Sequence, residues 1–166
     1  MTVELFIFRH AEAEIRSAEV ADESRALTPR GREKFIGCVE ALERLEIEFD
    51  RIYHGPWLRA TQSAELLVPL LDGETAVTPL LAGPPTQSLL DLLEGERIAL
   101  VCHEPWATDL LSWLVFGVRS FEAGGRRDFL HFGKGAVAWL SGNIEPGSMS
   151  LRAFLTPKTL RRLART

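Results

Sequence analysis

Two short apolar runs, each followed by a histidine, constrain the fold of this chain more than any other feature. Residues 3–8 are mostly apolar and lead into Arg9 and His10, and residues 98–102 lead into His103. Continuous apolar runs of this length are typical of parallel strands that are covered on both faces. Because the carboxyl ends of parallel strands share the sheet edge where ligands bind, the two runs predict a site at that edge.

Strands and helices alternate along the rest of the chain. Apolar spacing, prolines and glycines predict helices over residues 29–45, 56–71, 87–93, 105–116 and from 157, and strands over residues 51–53, 75–78, 136–140 and 149–155. Residues 14–25 and 119–134 lack a clear period and are interpreted as loops, the first lying over the strand end. The alternation predicts an α/β fold, a three-layer α/β/α sandwich around a mostly parallel mixed sheet, in a single domain over residues 1–166.

Composition and charge are those of a soluble globular protein. The 166 residues are 46% hydrophobic and 25% charged, with a formal net charge of -4 and a pI of about 5.6. This balance gives no overall attraction to nucleic acid or to an anionic membrane, so neither is expected as a partner. Four cations near the C-terminus are interpreted as a solvated helix face: Lys158, Arg161, Arg162 and Arg165.

The cysteines and the apolar stretches favour a cytoplasmic protein. Cys38 and Cys102 lie far apart, in an expected helix and an expected strand, so both are interpreted as reduced core thiols. The first residues leave no room for the apolar region of a signal peptide. Residues 110–118, the longest apolar stretch, are too few to cross a bilayer. Cytoplasm is therefore the expected compartment.

Four basic side chains are expected to meet at the predicted edge of the sheet: Arg9, His10, Arg59 and His103. Two follow the first strand, one lies in the first turn of the second helix, and one follows the central strand. Arginine binds phosphate oxygens through paired hydrogen bonds, and imidazole in the correct tautomer is a covalent nucleophile. The helix N-termini expected near Pro56 and Pro105 would add peptide N–H groups for an anion. The set therefore indicates phosphoryl-group chemistry.

The order and placement of these motifs resemble the histidine phosphatase superfamily, and within it the small phosphohistidine phosphatases of the SixA type. The matching segments are residues 9–12, 27–31, 50–65 and 101–105. The resemblance implies a histidine phosphatase-like fold in which His10 becomes phosphorylated, while Arg9, Arg59 and His103 bind the phosphoryl group. Glu12, in the first motif, is also expected to bind substrate. The resemblance implies neither a metal nor an organic cofactor.

Several positions depart from the family pattern. Ala11 and Cys102 stand where the family has glycines, and His54 and Gly55 replace a pair of serines. An inert core thiol is favoured over a nucleophile at Cys102, and an ordinary strand-end histidine over a proton donor at His54. His131 is interpreted as structural. For two tryptophans beside expected site residues, packing is favoured over a ligand-binding role: Trp57 and Trp106.

Three classes of function stay open: a phosphatase, a phosphomutase that shares the phosphohistidine intermediate, and a phosphate-binding module without turnover. A module that only bound phosphate would not need His10 beside Arg9. The mutase is disfavoured because 43 residues separate Arg59 from His103, and predicted helices and strands already fill them, leaving no room for the family's acid-bearing insertion.

The general acid is left open among four carboxylates: Glu12, Asp91, Glu94 and Glu104. Without a dedicated acid, leaving groups that depart easily are favoured. Phosphohistidine releases an imidazole with a pKa of about 6.5, whereas a serine-type ester releases an alkoxide. A phosphorylated substrate is therefore expected, with protein phosphohistidine favoured over a small phosphomonoester.

Overall fold

The computed structural model describes residues 2–122 and 127–166. Its six strands are β1 (Val3–Arg9), β2 (Phe49–His54), β3 (Leu71–Val77), β4 (Arg97–Cys102), β5 (Val137–Gly142) and β6 (Met149–Leu155). They form one sheet in the order β3-β2-β4-β1-β5-β6. The first four strands are parallel, and β5 is antiparallel to both of its neighbours. The predicted mixed, mostly parallel sheet is confirmed.

Helices cover both faces of this sheet. They are α1 (Pro29–Arg44), α2 (Leu58–Leu67), α3 (Gln87–Leu92), α4 (Trp106–Phe116) and α5 (Pro157–Ala164). Buried residues of α1, α2 and α5 pack together on one face, and those of α3 and α4 pack on the other. The result is the predicted three-layer sandwich.

Strand β1 lies in the interior of the sheet, between β4 and β5. Its side chains alternate, so that Phe6 and Phe8 enter the core beneath α1 and α2, while Leu5 and Ile7 enter the core on the opposite face. All four are at most 2% exposed. Because both faces are covered, the strand is apolar on both, which explains the continuous run in the sequence.

The N-terminus of α1 is tied to the chain that follows β1. The Thr28 hydroxyl accepts a hydrogen bond from the Gly31 N–H, and Pro29 occupies the first helical turn, as the sequence predicts. The Thr28 N–H donates to the Glu12 carbonyl oxygen at 3.1 Å. A Cβ atom at Gly31 would clash with that same oxygen, so only glycine permits this approach. Helix α1 therefore fixes the chain just beyond His10.

Helix α2 is shorter than predicted and β3 is longer. The helix ends at Leu67, a 3-10 turn follows over Val68–Leu70, and Leu71 already begins β3. Pro69 explains the early end, since it has no N–H to continue the helical hydrogen bonds. Strand β3 was predicted to cover only residues 75–78 because it is a largely exposed edge strand and shows little apolar pattern.

The two predicted loops behave differently. Residues 14–25 contain one 3-10 turn, Asp22–Ser24, and lie over the carboxyl end of β1. Of the predicted loop 119–134, residues 123–126 lie outside the described part of the chain, and the rest carries neither helix nor strand. No helix within the described ranges is long and apolar enough to cross a membrane.

Candidate active site

A crevice of about 380 Å³ lies at the carboxyl ends of β1 and β4. Eleven residues line it: Arg9, His10, Ala13, Arg16, Asp22, Arg25, Trp57, Arg59, His103, Glu104 and Lys134. The structure thus brings together all four basic residues predicted from the sequence. Five cations face two carboxylates here, which makes the crevice strongly positive in a chain whose net charge is negative.

His10 is held in one tautomer. The residue is 4% exposed, and its Nδ1 lies 2.7 Å from the carbonyl oxygen of Ala11. Because a carbonyl oxygen can only accept, Nδ1 carries the hydrogen and Nε2 keeps its lone pair. Burial, together with the positive charges of Arg59 and Arg9, lowers the pKa of His10 to about 3. The ring is therefore neutral at physiological pH, as a nucleophile must be.

The backbone around Arg9 and His10 is fixed from two sides. The His10 N–H donates to the Cys102 carbonyl oxygen at 3.0 Å, and the Gly135 N–H donates to the carbonyl oxygens of Arg9 and His10 at 3.1 and 3.0 Å. Arg9 Nη1 donates to the Phe132 carbonyl oxygen at 2.8 Å. The segment before β5 thus orients the guanidinium group of Arg9.

Arg59, in the first turn of α2, reaches the loop over the crevice. Its side chain is only 4% exposed, and it donates from Nη1 to the Asp22 carbonyl oxygen at 2.7 Å and from Nη2 to the Asp22 carboxylate at 3.4 Å. Burial opposes ionisation of Asp22, but Arg59 and Arg25 outweigh it and lower the pKa of this carboxyl group. The acidic side chain of Asp22 therefore already lies against the guanidinium group of Arg59.

Trp57 contacts two of the basic groups at once. Its ring stacks on the His103 imidazole with centroids 4.6 Å apart and planes 10° apart, and the Arg59 Cζ atom lies 4.6 Å from the ring centroid. Burial and the nearby Arg59 lower the pKa of His103 to about 4. Trp57 is thus part of the site, contrary to the favoured packing interpretation. Trp106 instead packs edge-on against Phe121, outside the crevice.

Ser63 is a site residue that the sequence analysis missed. Its hydroxyl accepts from the Ala11 N–H at 2.9 Å and donates to the Arg59 carbonyl oxygen at 2.7 Å. It therefore joins the chain beyond His10 to the turn of α2 that carries Arg59. The available signal was its position four residues after Arg59, which places both on one helix face.

Comparison with known proteins identifies the architecture. No family model matches the sequence. A structure of the protein histidine phosphatase SixA complexed with tungstate superposes with a TM-score of 0.76 and 22% identity, over 95% of this chain and 99% of that one. A phosphoserine phosphatase of Entamoeba histolytica in complex with 3-phosphoglyceric acid superposes with a TM-score of 0.69 and 17% identity, over 95% and 99%. The chain has the histidine phosphatase fold.

A sequence relative adds little about activity. An uncharacterized protein of Picosynechococcus sp. is 37% identical over 65 residues. The match spans 39% of this chain and 39% of that relative. The fold expected from the sequence motifs is therefore confirmed by the structural matches, while the reaction has to be argued from the site.

The structure shows the surroundings of the residues that depart from the family pattern. The Ala11 side chain is buried and lines a second pocket behind the crevice. Cys102 is buried, its Sγ lies 3.7 Å from the Phe8 carbonyl oxygen, and burial raises the pKa of its thiol, so it is poorly suited to act as a nucleophile. His54 is buried outside the crevice. His131 is exposed and lines the second pocket.

Of the four carboxylates left open as general acids, only Glu104 lines the crevice. Its Oε1 accepts hydrogen bonds from the Thr108 hydroxyl at 2.6 Å and the Thr108 N–H at 3.2 Å. Burial raises the pKa of Glu104 against the opposing effects of Thr108 and Arg9. The Glu104 carboxylate therefore already accepts a hydrogen bond from an N–H group at the start of α4. The sequence had predicted that N–H groups at this helix N-terminus would bind an anion.

The other three carboxylates lie elsewhere. Glu12, predicted to bind substrate, lines the second pocket, where its Oε2 is 3.9 Å from Lys34 Nζ. Asp91 and Glu94 are exposed and do not line the crevice. Within the described ranges, no group of three histidine, cysteine or acidic side chains is placed to hold a metal ion.

Proposed function

We propose that this protein is a phosphatase that works through a covalent phosphohistidine at His10 and removes phosphate from phosphohistidine on proteins. The observation that carries the proposal is the hydrogen bond between His10 Nδ1 and the Ala11 carbonyl oxygen, 2.7 Å long. It leaves Nε2 unprotonated in a crevice lined by cations. A neutral imidazole beside permanently charged groups is suited to attack a phosphoryl group.

The two arginines are suited to hold that group. Among the described residues, Arg9 Nε and Arg59 Nε are buried and have no hydrogen-bond partner. A buried N–H without a partner costs free energy, which a phosphoryl oxygen would recover. The guanidinium groups would also stabilise the charge that spreads over the equatorial oxygens during transfer. SixA, which shares the fold, was solved with tungstate, another tetrahedral oxyanion.

The reaction would proceed in two displacements. His10 Nε2 forms a bond to phosphorus as the substrate's P–N bond breaks, and the departing imidazole takes up a proton from solvent. Water then attacks the phosphorylated His10, the new P–N bond breaks, and inorganic phosphate leaves. His103, neutral because its pKa is about 4, would complete the set of groups around the phosphoryl oxygens.

Phosphohistidine suits the site because its leaving group needs little help. An imidazole with a pKa of about 6.5 departs far more easily than an alkoxide. The segment between Arg59 and His103 holds the end of α2, β3, α3, β4 and their turns, so this segment adds no element that encloses the crevice. An open crevice suits a side chain presented on a folded protein. The protein partner and the cytoplasmic location stay predictions from the sequence.

A phosphatase of small phosphomonoesters is the second candidate, and Glu104 favours it. A carboxyl group with a raised pKa in the crevice wall could protonate an alkoxide leaving group. The phosphoserine phosphatase with this fold acts, by its name, on such an ester.

Leaving-group dependence separates the two candidates. We expect kcat/KM to fall steeply from phosphohistidine peptides and phenolic phosphates to phosphoserine and sugar phosphates. A flat profile across these substrates would show that an efficient general acid is present and would favour the phosphomonoesterase. Absence of turnover with every substrate would leave only a phosphate-binding module.

A further inference from the structure

A second pocket, of about 300 Å³, lies directly behind the crevice. We call it the α1–α5 pocket, since these two helices and the segment before β5 enclose it. The stretch after β1 separates the two cavities: Arg9, His10 and Ala13 line the crevice, whereas Ala11 and Glu12 line the α1–α5 pocket. Lys134 lines both. Lys134 is therefore the residue at which a ligand bound in the crevice would meet the α1–α5 pocket.

The lining of the α1–α5 pocket combines an apolar floor with cations. Five residues provide apolar surface: Ala11, Phe35, Cys38, Ala136 and Pro157. Four cations come from three separate elements: Lys34 from α1, Lys134 from the segment before β5, and Lys158 and Arg161 from α5. Glu12 is the only carboxylate in the lining, and it pairs with Lys34 at 3.9 Å.

Three of these cations have no hydrogen-bond or ion-pair partner in the part of the chain that the structure describes. The side chains of Lys134, Lys158 and Arg161 make no hydrogen bond or ion pair with any residue in the described ranges, and Arg161 Nε is buried without a partner. Unpaired cations around a concave apolar surface favour a ligand that carries both negative charge and an apolar group. The sequence analysis had assigned two of them to a solvated helix face.

The segment before β5, which carries Lys134, also orients Arg9 and His10. Phe132 accepts the hydrogen bond of Arg9 Nη1, and Gly135 donates to the carbonyl oxygens of Arg9 and His10. Lys134 lies between these two residues in the chain. A substrate held by Lys134 would therefore contact the segment that orients the guanidinium and the nucleophile.

From this geometry we propose that the α1–α5 pocket binds acidic residues that flank the phosphorylated side chain of a protein substrate. Cations on three separate elements around an apolar floor suit a peptide with carboxylates and an apolar side chain, whereas a compact anion would need donors converging on one point. This inference rests on the proposed function, because it deepens the description of the substrate.

Two phosphohistidine peptides test it, one with glutamates and a leucine beside the phosphohistidine and one with glutamines in place of the glutamates. We expect kcat/KM to be about tenfold higher for the acidic peptide, from two or three partly exposed ion pairs. The double variant Lys158→Gln/Arg161→Gln should lose this preference. Hydrolysis of a small phosphoramidate should be unchanged, which also shows that the variant is folded.

The matched control is Arg162→Gln/Arg165→Gln, which removes the same charge from α5 and the residue that follows it, at positions that do not line the α1–α5 pocket. It should keep the preference for the acidic peptide. Equal turnover of both peptides by the wild-type protein, or equal loss of preference in both double variants, would overturn the inference. In the second case, long-range attraction to α5 would be the cause.

Failure of the proposed function would look different. If neither peptide nor the phosphoramidate is hydrolysed, the phosphatase assignment fails, and calorimetric titration with the same two peptides decides the inference. Tighter binding of the acidic peptide, abolished in Lys158→Gln/Arg161→Gln and kept in the control, would support the pocket. Equal binding of both peptides would overturn it.

Discussion

Two buried histidines at the ends of two parallel strands of the sheet, β1 and β2, show what distinguishes the candidate site. His10 directly follows β1, and His54 is the last residue of β2. Their rings share one local arrangement, since each Nδ1 lies 2.7 Å from the carbonyl oxygen of the next residue, Ala11 or Gly55. Both residues are buried, with exposed fractions of 4% and 8%. Tautomer and burial alone therefore do not identify the nucleophile.

Their surroundings differ. His10 faces a crevice that also contains Arg9, Arg59 and His103. His54 does not line that crevice, and the next side chain near its Nδ1 is the Thr61 hydroxyl at 3.5 Å. The hydrogen bond to the following carbonyl is a local feature that the chain forms twice. The convergence of two arginines, from β1 and α2, and a second histidine, at the end of β4, occurs only around His10 of this pair.

Exchange of each histidine for glutamine gives the largest expected difference. His10→Gln should lower kcat/KM by at least about 1,000-fold, because glutamine offers no nucleophilic nitrogen. Brief mixing with labelled substrate should trap an acid-labile, base-stable phosphoenzyme in the wild type and none in this variant. His54→Gln is the matched control and should keep both turnover and label. Normal turnover by His10→Gln would refute covalent catalysis at this residue.

The sequence alone was sufficient to predict which basic residues surround His10. Arg9, His10 and His103 could be placed because they directly follow apolar runs that had to be central strands. Arg59 could be placed from its motif and its position in the first turn of a helix. Strand ends and helix starts are local features, so a single sequence contains them.

The rest depends on contacts between distant segments. The pairing of Asp22 with Arg59, the stacking of Trp57 on His103, and the link through Ser63 join residues that have no common sequence pattern. Glu12 was expected at the substrate because it follows His10 closely. Glu12 instead lines the α1–α5 pocket and contacts Lys34 of α1.

Substitution of Arg59 tests whether the nearby cations account for the expected catalytic difference between His10 and His54. Arg59→Ala should cost on the order of 3 kcal/mol in transition-state stabilisation, a roughly 150-fold loss of kcat/KM, with the fold intact. Arg16→Ala is the control, because it also removes a partner of Asp22, at 3.4 Å, but its side chain is 79% exposed. It should change kcat/KM by less than about threefold. A lower Tm with unchanged kcat/KM would instead show that Arg59 is a structural ion-pair residue.

The pH dependence of the free energy of unfolding tests the burial of His10 separately from its proposed role as a nucleophile. Its pKa is about 3 in the folded protein, whereas an imidazole in the unfolded chain titrates near 6.5. Between these values the unfolded chain binds more protons, so stability rises with pH through this window and is lost as pH falls. We expect a loss of about 2 kcal/mol from this residue between pH 6.5 and pH 4.5.

Urea unfolding at the two pH values measures this loss. His10→Gln should be less acid-sensitive than the wild type, although His103, whose pKa is about 4, still contributes. An identical pH dependence in His10→Gln and the wild type would mean that the His10 ring is readily protonated in the folded protein, which would remove a main support for its role as a neutral nucleophile.

Substitution of Glu104 is expected to have the smallest effect on kcat/KM. It extends the comparison from the two histidines to the two carboxylates of the crevice, Asp22 and Glu104. The pKa of Asp22 is lowered by Arg59 and Arg25 in spite of burial, so its carboxyl group is ionised at neutral pH and has no proton to give. The pKa of Glu104 is raised by burial, so a larger fraction of its carboxyl group stays protonated. Of the two, only Glu104 is suited to protonate a leaving group.

Glu104→Gln should therefore lower kcat/KM about tenfold for a phosphoserine-type ester and leave phosphohistidine and phenolic phosphates almost unchanged, because only the alkoxide needs the proton. Asp22→Asn should show no such selectivity, since an ionised carboxylate donates to neither leaving group. The substrates are best compared on the same preparation across a range of pH, where the wild type should lose ester hydrolysis at high pH and Glu104→Gln should not. An equal loss for all substrates in Glu104→Gln would instead indicate that the carboxylate acts through its hydrogen bonds to Thr108 at the start of α4, by positioning the neighbouring His103.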